Sequence, residues 1–321
     1  MRINRIFAVL ALGLLPASSA FAQGYPTKPV RIVVPFTAGS ATDILARTVG
    51  QKLSEAWGQS VVVENRPGAG GVIGAAIVAK APGDGYTLLV HSAAHASNPS
   101  IYSNLTFDTV KDFVEVVPLA GQPNVLSVAP STGLKSVGDL VAAAKQKPGA
   151  LNYASAGNGS GTHINGEKFK LAAGIDVLHI PYKGSPEAVT DTMAGRVTYY
   201  FAPISAALPQ IRDGKLIALG VSTAKRSSVL PNVPTVAESG VPGFDYNLWV
   251  GMFAPAGTPA DLVEKINKDV IRVLATPEAK ERLAALGADA MPMTPAEFKN
   301  FVQDEIADSA KVIKAAGIVV Q

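Results

Sequence analysis

One local pattern recurs along this chain and constrains its fold more than any other feature. An apolar strand runs into a short loop of Gly, Ser and Thr, and the loop opens a helix. The pattern runs from residues 32–34 into 37–43 and from 151–154 into 155–163, with a shorter version from 177–181 into 184–187. Each junction presents free helix N–H groups and hydroxyls at one point, an arrangement suited to a small anion. Arg and Lys are almost absent from these loops, so the anion would be held by neutral donors.

The rhythm of strands and helices predicts an α/β protein. Residues 30–34 form a continuous apolar strand, and Leu45, Val49, Leu53 and Trp57 recur at four-residue steps as one stripe of a helix. Strand 61–64, helix 72–80 and strand 86–90 follow, a βαβ order that predicts mostly parallel sheets with helices on their faces. Two apolar runs, 116–119 and 125–129, flank Gly121-Gln122-Pro123-Asn124 and read as one passage into a second domain. That domain repeats the alternation through residue 222. A strand at 248–254 leads back, and helices at 261–274, 277–286 and 295–316 close the chain. Two crossings make a hinge between two lobes. Lobe 1 is expected to comprise residues 23–123 and 246–321, and lobe 2 residues 124–245.

Composition narrows the function classes. The 321 residues carry a formal net charge of +3, and Arg2 and Arg5 lie in the first segment. That segment has a positive start, an apolar stretch at 6–15 and Ala20-Phe21-Ala22 before Gln23. It reads as a signal peptide over 1–22, cleaved near Ala22/Gln23, with export to the periplasm expected. The apolar stretch is too short to span a bilayer. There is no Cys, hence no disulfide and no lipobox. Without a basic tract, nucleic acid is not an expected partner.

The candidate loops carry little catalytic chemistry. In the first, Gly39 permits a tight turn, and Ser40 with Asp43 has capping-box spacing, which makes Asp43 a structural cap. In the second, Ser155 to His163 matches a dinucleotide fingerprint only in part, because Thr162 stands where the third Gly belongs. It is not a nucleophile elbow, since Asn158 and Thr162 replace the flanking glycines of Ser160. Ser185 reads as the N-cap of the next helix with Pro186 at its first position, Lys183 as a solvated lysine and Arg66 as the partner of Glu64. Residues 68–71 read as an exposed turn. His91 and His95 have a spacing that metal ligands use, but no third ligand is near, and they read as loop histidines with no metal. His163 reads as a surface or capping histidine. No cofactor and no catalytic group are expected.

Together these stretches resemble the Bug/TctC family, the extracytoplasmic solute receptors of tripartite tricarboxylate transporters. The match runs through residues 35–43, Asn65-Arg66-Pro67-Gly68-Ala69-Gly70-Gly71, Asp84-Gly85-Tyr86-Thr87, residues 155–163, Pro181-Tyr182-Lys183-Gly184, Pro234-Thr235 with Glu238 and Gly240, and residues 254–259, in the family's order. The second loop fits Ser-x-Gly-x-Gly-Ser-x-x-His at every fixed position. The first departs at Ser40, where the family often has Gly. The resemblance implies a two-lobed, type II-like periplasmic binding protein, acting as a monomer. It would close on a small carboxylate and deliver it to membrane permease subunits of a tripartite tricarboxylate-type transporter. It assigns Phe36, Thr37, Ala38, Gly39 and Ser40 to the ligand from lobe 1. From lobe 2 it assigns Ser155, Gly157, Asn158, Gly159, Ser160, Thr162 and His163. Ser92 and Ser205 are added because each follows a strand expected to end at the cleft. Two other readings stay open: a sensor that docks on a signalling receptor, and an exported hydrolase using Ser160 and His163.

Overall fold

The computed structural model describes residues 24–318. The leader expected over residues 1–22 lies outside the described residues. The chain runs β1 (Val30–Val34), α1 (Ala41–Trp57), β2 (Val61–Asn65), α2 (Val72–Ala79), β3 (Thr87–Ser92), α3 (Ala94–Ile101) and β4 (Phe113–Val128). Next come α4 (Val137–Gln146), β5 (Asn152–Ser155), α5 (Gly161–Ala173), β6 (Leu178–Pro181), α6 (Ser185–Met193), β7 (Tyr199–Pro203), α7 (Ile204–Arg212) and β8 (Ile217–Val221). β9 (Asn247–Pro255), α8 (Ala260–Leu274), α9 (Pro277–Ala285), β10 (Asp289–Ala290) and α10 (Pro295–Ala315) complete it.

The strands lie in the order β2-β1-β3-β9-β4-β7-β5-β6, with β8 and β10 also paired to β4. The outer strands obey the expected parallel rule: β1 pairs parallel with β2 and β3, and β5 with β6 and β7. The centre does not. β9 is antiparallel to β3 and β4, and β4 is antiparallel to β7 and β8. The expectation of mostly parallel sheets is therefore met only at the flanks. The strands that pass between lobes run the opposite way, which a βαβ pattern alone cannot reveal. β4 pairs with β9 through Pro123 and with β7 from Asn124 onward, so one strand serves two sheets.

Burial follows the sequence pattern. Leu45, Val49 and Leu53 of α1 are buried against β1, whose Val30, Ile32 and Val34 are fully enclosed. Each such side chain contributes about 1.5–3 kcal/mol relative to exposure. Trp57 closes that helix and donates its indole N–H to Asp269 of α8 at 2.8 Å. α10 starts with a reciprocal capping box between Thr294 and Glu297. It packs on α3, α5 and β4, and Trp249 of β9 donates to its Glu305 at 2.7 Å. Among the described residues, no helix is long and apolar enough to cross a membrane.

Candidate functional site

The first loop is fixed from behind by Asp43. Its carboxylate accepts the Gly39 N–H at 2.9 Å, the Asn65 amide at 2.9 Å and the Arg47 guanidinium at 3.0 Å. Asn65 also donates to the Phe36 carbonyl at 3.0 Å. Ser40 is the N-cap of α1, its hydroxyl accepting the Asp43 N–H at 3.3 Å. Asp43 thus holds the loop by way of Gly39 rather than closing a capping box on Ser40.

The second loop is wired internally. The Ser160 hydroxyl caps α5 by accepting the His163 N–H at 3.2 Å, and it lies 3.0 Å from the Thr162 hydroxyl. Thr162 also accepts the Ala156 N–H at 2.9 Å. The Ser155 hydroxyl accepts the Gly157 N–H at 3.0 Å and meets His179 Nε2 at 2.6 Å. His163 is not at the surface. It is the third residue of α5, 3 % exposed, stacked on His179 with ring centres 4.0 Å apart. Its Nδ1 accepts the Gly159 N–H at 3.1 Å, which requires that nitrogen to be unprotonated. Burial, aided by Lys170, lowers the His163 pKa to about 4 and keeps the ring neutral.

These loops meet at a narrow cavity. Of the residues assigned to the ligand, Phe36, Ser40, Ser92, Ser160 and Thr162 line it, joined by Ala41, Thr42, Ala156, Gly161, Ser185, Pro203 and Leu248. No charged side chain is among them. The first residues of α1, α5 and α6 all contribute, so three helix N-termini point at one enclosure. The other assigned residues lie around it. Gly157 and Asn158 line a neighbouring depression of about 500 Å³ together with Lys183, Tyr182 and Tyr102. Ala38 and Gly39 are exposed, while Ser155, Gly159 and His163 are buried and do not line the cavity. Ser205 is buried at the second position of α7, two residues after Pro203.

Several readings of the sequence are corrected here. His91 and His95 lie on β3 and α3, fully buried among Phe36, Phe113 and Phe253 rather than in a loop. Gly70 and Gly71 are buried in a short turn against Asn158 and His91, because the lobes pack together there. Ser185 does not cap α6; Gly184 holds that position, and the Ser185 hydroxyl instead lies 3.2 Å from Tyr200 Oη. Arg66 does pair with Glu64. Ser185 was within reach of the sequence, since it heads the third strand–loop–helix junction. Leu248 and Pro203 carried no local signal.

Contacts across the cleft are direct. The Thr37 hydroxyl donates to Glu187 at 3.1 Å, Tyr102 Oη donates to the Asn158 carbonyl at 3.1 Å, and the Ser97 hydroxyl donates to the Gly159 carbonyl. Two lobes, shared crossing strands and an uncharged cavity ringed by helix starts define a two-lobed periplasmic binding protein. Residues 45–318 match the tripartite tricarboxylate transporter family receptor, TctC, and the chain belongs to that family. It is 36% identical over 322 residues to Protein BugT of Bordetella pertussis, covering 99% of both chains. Its fold is similar to that of R. palustris Rpa4515 with adipate (TM-score 0.90, 39% identity, 92% of this chain and 100% of that one). It is likewise similar to MatC from Rhodopseudomonas palustris with bound malate (TM-score 0.85, 32% identity, 90% and 100% covered).

Proposed function

We propose that this chain is a periplasmic receptor that captures a small carboxylate between its lobes and hands it to a tripartite tricarboxylate-type transporter. The observation that carries this reading is the convergence of the α1, α5 and α6 N-termini on one cavity without a charged lining. Each helix start contributes about 0.3–1 kcal/mol toward a nearby anion, and each neutral hydrogen bond about 0.5–1.5 kcal/mol net. Such a set binds an acid yet releases it more readily than a buried Arg fork would. Relatives with adipate and malate in their structures support the ligand class.

On this reading the leader over 1–22 directs export. Residues 23–123 with 246–321 form one lobe and 124–245 the other. Ser40, Ser92, Ser160 and Thr162 hold the carboxylate, and Phe36 walls it. The chain breaks no bond: the His163 ring gives its Nδ1 to Gly159 and lies flat on His179, so it does not serve Ser160 as a base.

The test is a thermal-shift screen across organic acids followed by calorimetry on the best ligand. A ligand specific for the folded state raises the melting temperature. Ser160→Ala is expected to raise Kd about tenfold, the equivalent of one or two lost hydrogen bonds. An unchanged Kd with the variant would remove this loop from the site.

A further inference from the structure

The chain contains two Asn–Gly steps, Asn158–Gly159 in the second loop and Asn165–Gly166 inside α5. Glycine has no Cβ to shield its backbone nitrogen, so an asparagine before it loses its amide more readily than elsewhere. The glycine nitrogen attacks the side-chain Cγ, the N–Cγ bond forms, and the amide departs as ammonia carrying the glycine's proton. Water then opens the five-membered imide, at Cγ to give aspartate or at the main-chain carbonyl to give isoaspartate. In sum, an amide and a water become a carboxyl group and ammonia, with no change of oxidation state.

The two steps sit in different surroundings. Asn165 is buried in the middle of a helix. Asn158 is half-buried and lines the depression beside the cavity with Gly157, Tyr182 and Lys183. The Gly157 carbonyl accepts the Ser160 N–H at 3.0 Å, and Gly159 has φ +74. Among the described residues Ala69 is the one non-glycine with positive φ, so Asn158 has negative φ. Positive φ at the third position alone defines a type II turn, which sets ψ of the second residue at about +120°. Ring closure needs the Gly159 nitrogen eclipsed with Asn158 Cβ about the Cα–C bond, and that ψ holds the two roughly 120° apart. The loop is therefore unreactive until the peptide between Asn158 and Gly159 turns over.

Four hydrogen bonds resist that rotation. Two are local: the Gly159 N–H donates to His163 Nδ1 at 3.1 Å, and the Ser160 N–H closes the turn. The other two come across the cleft. Tyr102 Oη donates to the Asn158 carbonyl at 3.1 Å, and the Ser97 hydroxyl donates to the Gly159 carbonyl. A Cβ at Gly70 would overlap the Asn158 carbonyl oxygen, so backbone of the opposite lobe also bears on this peptide. The Asn158 carbonyl belongs to the unit that must turn, and parting the lobes removes both cross-cleft bonds from it.

We propose that Asn158–Gly159 is a site of spontaneous deamidation that the closed cleft protects and the open cleft exposes. The product places a carboxylate in the loop read above as holding the acid, so a receptor left empty loses affinity as it ages.

The test holds the purified protein in warm, mildly alkaline buffer and follows conversion at each asparagine by mass spectrometry of its peptides. Conversion is expected at Asn158 and not at Asn165. Tyr102→Phe and Ser97→Ala each remove one cross-cleft bond and should speed it about fivefold, the equilibrium effect of one lost hydrogen bond. An acid from the thermal-shift screen at about 100 times its Kd leaves roughly one receptor in a hundred empty and should slow it at least about tenfold. Asn158→Asp supplies one product directly and should raise the acid Kd about fivefold or more, from a like charge beside the ligand; an unchanged Kd would overturn the loss of affinity. No conversion at Asn158 in the wild type or the variants would overturn the inference, as would equal conversion at Asn158 and Asn165, the mark of global unfolding. A rate that neither variant raises, or that a bound acid leaves unchanged, would do the same. The acid arms rest on the receptor reading and the Tyr102 and Ser97 variants do not. If no acid binds, that reading falls, and these two variants alone decide whether the opposite lobe protects Asn158.

Discussion

Asp43 shows how one buried carboxylate can govern a binding loop without touching the cavity. It is 2% exposed and accepts hydrogen bonds from the loop (Gly39), from β2 (Asn65) and from its own helix (Arg47). Removing it leaves the Gly39 N–H and part of the Asn65 amide without an acceptor, and frees the carbonyl of Phe36 to drift. Asp43→Ala is expected to destabilise the protein by about 1–3 kcal/mol, the cost of unpaired buried donors, read as a lower denaturation midpoint. Asp43→Asn keeps one acceptor oxygen and should cost less. Ser160→Ala, which removes the N-cap acceptor of α5, should cost about 1 kcal/mol of stability and lower affinity as well. Equal stability of Asp43→Ala and wild type would show that the loop is held by other means.

At the scale of elements, the closed cleft depends on how loops fit against one another. Gly184, ahead of α6, has φ −178 and ψ 179, extended backbone that any residue adopts. A Cβ there would overlap the Thr37 hydroxyl of the opposite loop. Gly184→Ala therefore costs little wherever the loops are apart and obstructs their contact. The expected outcome is weaker ligand binding and a larger radius of gyration by solution scattering with saturating ligand, but an unchanged melting temperature without it. Full affinity in this variant would show that the loops shift past one another at no cost. The same scale explains what the sequence disclosed. α1 was legible because Leu45, Val49 and Leu53 repeat at helical spacing, and Ser40 because capping is a local event; Ser160 was assigned through the family resemblance, and its capping of α5 was not read. α3 was missed because Asn98-Pro99 looks like a stop, yet Pro99 sits inside the helix. α7 is nine residues with Pro209 within, a short element between two strands. Gly121-Gln122-Pro123-Asn124 looked like a break, but β4 runs straight through it because its partners change there from β9 to β7 and β8. Leu248 and Pro203 reach the cavity only through these distant pairings, so no local pattern announces them.

Across the whole molecule, three of the four histidines, His91, His95 and His163, are buried in the folded state, the fourth, His179, is partly buried, and all four are held neutral. Burial lowers His95 to about 3, His163 to about 4 and His179 to about 2, and drives His91 well below its ordinary range. His95 adds repulsion for His91, and Lys170 for both His163 and His179. In the unfolded chain each titrates near 6.5. Between the folded and unfolded values the unfolded chain binds more protons, so stability rises with pH there. The contribution is complete above about pH 6.5 and is lost as pH falls toward the folded values, by up to about 1.4 kcal/mol per histidine for each pH unit. Glu115 and Glu305 act in the opposite sense, because burial raises their carboxyls. The exposed carboxylates that are lowered by partners, such as Asp139, Asp191 and Glu238, respond only at more acidic pH. Two carboxyls do not offset four histidines between pH 6.5 and 4.5. The melting temperature is therefore expected to hold from pH 8 to 7 and to fall steadily below 6.5. His163→Gln, whose side-chain amide cannot titrate, should flatten that fall. A profile flat down to pH 4.5 would mean that these rings carry protons inside the fold, and the His163 Nδ1 acceptor that orders the second loop would then be lost with it.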